Sequence, residues 1–410
     1  MSHYPVIIVG GGLSGLTCAN YLFDAGKPFL LIEANEKVGG RVKTVVKDGF
    51  LLDVGFQVFL NSYEEAKALL DIESLNLGYF KSGANIYFNG KWHQFENPLK
   101  NPLALFSTLF SPVGSWKDKI KVLMLTFDTK AFAKALQTED SKTSTVELLR
   151  KKGFSEVFIK RFFQPFFGGV FLDKTLGTPA NFFQYLFQQF YTGEAGLPAA
   201  GMQAIAAQLA ENLPPESLKT GTKVVAIDGK SITLENGEKL TTDHLVVATD
   251  YKTANMLLPT LPWNEQRFNG TINLYYSTPP SFESGKMLRL VAEPGFIINN
   301  IAVLDEVSSD YSPNEKHILS ITLLEGEDLS EDQLEQRVQE ELKVLFGEIA
   351  THFHFLHRFE IPDALPAYTG QSMQYIVGDG ITLAGDYLQY PSINGAMLSG
   401  RLAAENVLKG

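Results

Sequence analysis

Apolar and polar positions in this chain alternate in blocks that differ in kind from one region to the next. Val6 to Val9 is a short, wholly apolar run, long enough for a buried parallel strand and too short for a helix. A helix follows through Leu16, Ala19, Tyr21 and Leu22 to Gly26, and Phe29 to Ile32 is a second apolar strand. Near the other end, Ile381 to Ala384 reads as a buried strand, Gly385 and Asp386 as its turn, and Gly395 to Leu408 as a helix with small residues on one side. Between them, Lys223 to Ile227 and Ser231 to Leu234 flank Asp228-Gly229 as a hairpin, and His244 to Ala248 is another buried strand. Residues Asn61 to Thr192 read mainly as helices, broken at Pro98, Pro102 and Pro112 and by a polar linker over Thr138 to Thr145. Strands are predicted over Trp263 to Asp305 and Ile318 to Leu324, then a helix over Glu331 to Phe346 whose charged positions are a solvated face. No internal repeat or low-complexity tract interrupts this order.

The first strand, helix and second strand enclose chemistry. Gly10, Gly12 and Gly15 form G-x-G-x-x-G: the first permits a tight turn, the second removes a side chain that would block a pyrophosphate, and the third lets helix and strand pack closely. Free N–H groups at that helix start attract phosphate. Glu33 closes the second strand eighteen residues beyond Gly15, where a ribose hydroxyl needs an acceptor. Together these predict a dinucleotide site.

Gly39-Gly40-Arg41 and Asp53-Val54-Gly55 follow, and with them the chain resembles the flavin-containing amine oxidoreductase superfamily. That resemblance implies FAD rather than free NAD, with the D-x-G segment running beside the flavin and Arg41 a fixed cation near the pyrophosphate or the flavin's pyrimidine edge. The segment ITLAGDYLQYPSINGAMLSGRLAAENVL resembles the family's carboxyl-terminal flavin motif, which implies Asp386 near the ribityl-phosphate and a helix start at Asn394 to Ala396 facing the flavin. A helix amino terminus there stabilises negative charge on the reduced ring. Leu197 to Met202 resembles the P-x-x-G-M segment of flavin-dependent desaturases and protoporphyrinogen oxidases, and the strand holding Val224 is implied to lay its backbone beside the adenine.

The residues implied to hold FAD are therefore Gly10, Gly12, Leu13, Ser14 and Gly15; Glu33 and Ala34; Gly39, Gly40, Arg41 and Val42; and Gly55 and Phe56. Val224, Ala248, Gly385, Asp386, Ser392, Ile393, Asn394 and Ala396 complete them. The fold class is an α/β, Rossmann-like FAD-binding domain with an interleaved α+β substrate domain. Residues 1–60, 195–262 and 360–410 are assigned to the first, and 61–194 and 263–359 to the second.

Composition narrows the partners. A chain of 410 residues suggests two or three domains. The formal charge of −11 argues against nucleic acid, whose phosphates need a basic face. The lone cysteine, Cys18, rules out an internal disulfide and reads as a small core residue. His352, His354 and His357 lack accompanying carboxylates or cysteines, so no metal site is assigned. The start, MSHYPVII, lacks a secretory pattern and no run reaches membrane-span length, which points to a cytoplasmic setting. Leu103 to Phe110 is a candidate for peripheral contact with a membrane surface, a buried helix being the competing reading.

Aromatic residues crowd the substrate region: Phe158, Phe162, Phe163, Phe166, Phe167 and Phe171 in one segment, then Phe182 to Tyr191 in the next. Single rings in such stripes are mostly core, yet thirty phenylalanines suggest an apolar cavity. Positions matching an amine oxidase's cage tyrosine and strand lysine are Ser392 and Thr271, which weakens an amine reading. The favoured expectation is desaturation of a hydrophobic polyene, isoprenoid or porphyrinogen by hydride transfer to flavin N5. One dinucleotide fingerprint implies oxygen or a quinone as electron acceptor. An FAD-dependent amine oxidase is the alternative, and a non-catalytic flavin scaffold or lipid carrier a third. No catalytic base is identified.

Overall fold

The first strand, Ser2–Val9, is apolar from Val6 onward because it lies mid-sheet with both faces covered: Val6 and Ile8 enter one core, Ile7 and Val9 another. A computed structural model describes residues 2–96, 111–127, 136, 142–259, 266–282, 285–370, 376–378 and 380–409. In it, five strands run parallel in the order Leu218–Lys219, Leu30–Ile32, Ser2–Val9, Lys239–Val247, Ile381–Leu383. The near half of Lys239–Val247 also pairs antiparallel with Ser231–Leu234, which returns to Val224–Asp228 as the expected hairpin.

An opening helix, Leu13–Asp24, and a closing helix, Ile393–Lys409, cross on one face of this sheet. Their approach depends on Gly400, where an added Cβ would stand 2.2 Å from the Ser14 carbonyl oxygen. The two chain ends therefore pack as one layer.

A second, seven-stranded sheet carries the interleaved unit. Its order is His354–Pro366, Phe268–Thr278, His317–Leu323, Ile298–Val303, Leu288–Val291, Gly83–Phe88, Lys91–Glu96. All neighbours are antiparallel except Leu288–Val291 with Gly83–Phe88. The helix Glu331–Phe346 starts at a Ser330–Gln333 capping box and lays Leu334, Val338, Leu342 and Leu345 on one face, against Leu274, Tyr276 and Ile321. The aromatic segments form a separate core beside this sheet: Phe158, Phe163, Phe167, Phe182 and Phe183 are buried on the short helix Glu156–Phe158, a π-helical turn, Ile159–Phe163, and the helices Gln164–Phe171 and Ala180–Thr192.

Three expectations differ from this. Residues 61–192 are not mainly helical throughout, since Gly83–Phe88 and Lys91–Glu96 form a hairpin at the sheet edge. The division at residue 360 cuts a single strand, His354–Pro366, whose pairing with Phe268–Thr278 extends to Phe268 opposite Pro366. Tyr63, Ala66, Leu70 and Leu75 pack in the core of the opening helix rather than among the aromatic rings. Pro98, Pro102, Leu103 to Phe110, the start of the linker at Thr138, and Trp263 lie outside the described residues.

Candidate functional site

All five parallel strands end on the same side, and their carboxyl ends carry most of the sequence-predicted positions. This is where open α/β sheets bind ligands. Gly10 leaves the first strand with φ +108°, and a Cβ on it would sit 2.7 Å from the Ala248 carbonyl oxygen. Gly15 has no room either: its Cβ would meet the Gly10 carbonyl oxygen at 1.9 Å. Gly12 differs, with nothing within 4 Å of where its Cβ would be. The glycines at 10 and 15 thus serve close packing, and the one at 12 keeps a surface clear.

The helix beginning at Leu13 has no side-chain cap and no acidic residue in its first turn, and its first intrahelical bond is Leu16 N–H to the Gly12 carbonyl at 2.9 Å. The preceding N–H groups, those of Leu13, Ser14 and Gly15, point along a helix dipole into the space kept open by Gly12. Gly39 runs alongside, bridged in parallel to Gly12, with its N–H donating to the Gly11 carbonyl at 2.8 Å. Val42 is buried and Gly40 stands next to Gly12.

Glu33 is buried at the end of the second strand. Its Oε2 accepts from Gly11 N–H at 2.7 Å, and its Oε1 from the Asn35 main-chain N–H at 2.8 Å and side-chain amide at 2.6 Å. A carboxylate has about four acceptor sites, so one remains for a hydroxyl. Ala34 is exposed just beyond. The hairpin strand beginning at Val224 is delivered here because Thr222 N–H donates to the Glu33 carbonyl.

Arg41 and Asp386, from opposite ends of the chain, meet directly: guanidinium Nη2 donates to Oδ1 at 2.5 Å, and Nη1 to the Ala364 carbonyl at 3.0 Å. Asp386 is buried while the Arg41 side chain is two-fifths accessible. Desolvation opposes the arginine's charge, but the attraction and hydrogen bond of Asp386, together with the charges of Asp250 and Asp363, raise the guanidinium pKa on balance, so a fixed cation stands at this pair. Gly385 N–H is held by Ser399 Oγ at 2.9 Å.

At the start of the closing helix, Ser392 acts as a cap, its Oγ accepting from Gly395 N–H at 2.9 Å. Ile393 and Ala396 are half-buried there. Asn394 is fully committed elsewhere: its amide donates to Tyr185 at 2.8 Å, Tyr390 at 3.0 Å and Glu64 at 3.3 Å, while its oxygen accepts from Glu65 N–H at 3.0 Å. Its side chain therefore ties the closing helix to the aromatic unit.

A further hub forms at Asp53. Thr44 Oγ1 and Met202 N–H donate to Oδ1 at 2.5 and 3.0 Å, Tyr311 donates to Oδ2 at 2.6 Å, and Tyr275 donates to the Asp53 carbonyl at 2.8 Å. Burial pushes its pKa up, and those donors work against the shift. Gly55 and half-buried Phe56 follow, with Gly55 (φ +89°) close against Ile361 and Phe56 edge-on to Phe80 at 6.1 Å. Sequence reading had no signal for the roles of Thr44, Tyr275, Tyr311, Tyr185 or Glu64, because each acts on a partner more than eight residues away.

The whole chain bears a recognisable likeness to known proteins. The family described as flavin containing amine oxidoreductase matches residues 13–408. The chain belongs to that family. Over 302 residues it is 24% identical to coproporphyrinogen III oxidase of Bacillus subtilis, covering 63% of this chain and 62% of that protein's length. It is also 24% identical to the 15-cis-phytoene desaturase of Narcissus pseudonarcissus over 473 aligned positions, covering 98% of this chain and 79% of that one. An oxidoreductase structure from Methanosarcina mazei superposes with a TM-score of 0.76 at 17% identity, covering 98% and 99% of the two chains. This flavin-containing amine oxidoreductase is thus an FAD-dependent enzyme with the α/β cofactor fold and added substrate unit. The open surface at Gly12, the uncapped helix start and the spare acceptor on Glu33 fit a dinucleotide. No helix among the described residues is long and apolar enough to cross a membrane.

Proposed function

We propose that this enzyme dehydrogenates a hydrophobic substrate of the polyene, isoprenoid or porphyrinogen type. The observation that carries the reading is a row of half-buried rings on the aromatic unit. Phe162 lies 5.8 Å from Phe166, and Phe166 lies 5.3 Å from Phe190, centroid to centroid. Behind them stand the fully buried Phe158, Phe163 and Phe183, which fix their positions. Phe190 packs against both the aromatic core and the core of the opening helix, so the row ends at the seam between substrate and cofactor units. Such a wall offers apolar area and ring faces but no charge, and holds a substrate that has few polar handles by shape.

Bound FAD supplies the two-electron acceptor. The chain's contribution is to bind and orient. We assign the phosphates to the helix start after Gly12, the ribose to Glu33, and the outward cation to Arg41, held by Asp386. Gly10, Leu13, Ser14, Gly15, Ala34, Gly39, Gly40 and Val42 complete that cradle, with Gly55, Phe56, Val224, Ala248, Gly385 and residues 392–396 around the rest of the cofactor. Residues 1–75, 195–262 and the stretch beyond Pro366 form the FAD unit in this reading, and the intervening segments the substrate unit. The positions matching an amine oxidase's lysine and cage tyrosine serve structure instead: Thr271 Oγ1 donates to the Leu323 carbonyl at 2.9 Å, and Ser392 caps a helix. Oxygen or a quinone then takes the electrons.

Anaerobic mixing tests this. The yellow absorbance of the FAD-loaded enzyme should bleach with a porphyrinogen or a carotenoid precursor and not with hydrophobic amines. Bleaching by amines alone would replace the proposal with an amine oxidase. Reduction by dithionite but by no candidate substrate would leave a flavin scaffold.

A further inference from the structure

The helix Trp116–Phe127 has two apolar faces, and among the described residues only one packs into a core. Its inner face carries Asp118, Val122, Leu125 and Thr126. Val122 and Leu125 pack into the aromatic core, and Asp118 is buried as the acceptor of Ser155 N–H and Oγ, both at 2.8 Å. On the opposite face Trp116, Ile120, Leu123 and Met124 recur at i, i+4, i+7 and i+8, where a surface helix normally places polar residues. They are 60%, 42%, 37% and 59% exposed. Four large apolar side chains turned outward on a single helix form a contiguous patch, and such patches mark contact surfaces.

Charge says what covers it. Lys117, Lys119 and Lys121 flank the outer face. Lys117 stands 5.8 Å from the Trp116 ring centroid, Lys119 donates to the Ser111 carbonyl at 2.6 Å, and Lys121 donates to the Gly153 carbonyl on the adjoining turn, which itself begins with Lys151 and Lys152. The described residues 111–127 and 142–161 hold nine Lys and Arg against three Asp and Glu, in a chain whose net charge is −11. The local excess of positive charge is thus opposite in sign to the molecule as a whole. A second copy docked on the same face would bring lysines against lysines. An anionic surface would instead meet basic flanks and an apolar centre with a tryptophan at one end, the composition of helices that lie in a bilayer interface. We infer that the outer face of the Trp116–Phe127 helix seats the enzyme on an anionic lipid bilayer. This is independent of the substrate reading.

Vesicle flotation of the full, FAD-loaded protein tests it. Binding to vesicles of phosphatidylcholine mixed with phosphatidylglycerol should exceed binding to phosphatidylcholine alone several-fold and should weaken as salt is raised. The double substitution Ile120→Glu with Met124→Glu should reduce binding at least about tenfold, and Lys117→Glu several-fold, while Met256→Glu, at an exposed apolar residue on another helix, leaves it unchanged. Thermal midpoint and flavin absorbance of each variant report folding. Should the double variant fail to fold, Trp116→Phe supplies the second measurement: brominated lipid should quench wild-type tryptophan emission more than that of this variant. Failure of the wild type to float with anionic vesicles overturns the inference. So does undiminished binding by the folded double variant, equal quenching in wild type and Trp116→Phe, or a dimer that the double substitution dissociates without vesicles present.

Discussion

Gly12 is the residue at which one added methyl group separates binding from folding. Its φ of −73° and ψ of 179° suit any residue, and the space where a Cβ would go is open. Gly12→Ala should therefore keep the wild-type thermal midpoint of the apoprotein yet weaken FAD at least about tenfold, read by flavin retained after desalting and by titration. Gly15→Ala should do the opposite and disrupt folding first, because its Cβ would run into the Gly10 carbonyl. Asp53 gives a pH signature. Burial raises its folded pKa above the ordinary carboxylate value of 3.8, so the folded form binds the proton more tightly than the unfolded chain. Its contribution to stability is then largest below that value and is lost as pH rises through the raised folded pKa. Urea melts of wild type and Asp53→Asn across that window should show the wild type's advantage shrinking with rising pH, with the variant lacking this component. Gly12 and Gly15 were legible in the sequence because their reasons lie within one short loop, whereas Asp53 entered only through the resemblance, as part of a D-x-G segment, and its role as a hub shows only where Thr44, Met202, Tyr275 and Tyr311 converge on it.

Among elements, the crossing of the opening and closing helices is the contact least tolerant of added volume. Gly400→Ala places a methyl group against main-chain atoms of Ser14 that cannot swing aside, and should cost about 1–3 kcal/mol in denaturant unfolding. Phe163→Ala, in the centre of the aromatic core, should cost about 3–5 kcal/mol by the same measurement. Elements with a strong periodic signal were readable: the predicted helix Glu331–Phe346 has those bounds in the fold, and the hairpin about Asp228-Gly229 forms. The hairpin over Gly83–Glu96 was not, because it lies among helices and its second strand, KWHQFE, mixes charge with rings. The strand His354–Pro366 escaped for a related reason. It is a sheet edge with few buried positions, and its membership is decided by pairing with Phe268–Thr278 rather than by its own pattern.

At the scale of the molecule, three separated stretches of sequence close on one side of the parallel sheet, and a ligand binding there must favour the folded chain over the unfolded one. Saturating FAD at about a hundred times its dissociation constant should add about 2.7 kcal/mol to stability, visible as a higher thermal midpoint of reconstituted protein than of apoprotein. The buried carboxylate at residue 53 has a further consequence. It holds strand, helix start and both tyrosines of the second unit in a single dry knot, and prying the halves apart would strand those groups without partners. Hinge-like opening of the two halves is therefore disfavoured by about 1–3 kcal/mol for each group left stranded. A covalent tether bridging the halves beside that knot should leave the thermal midpoint and FAD binding intact.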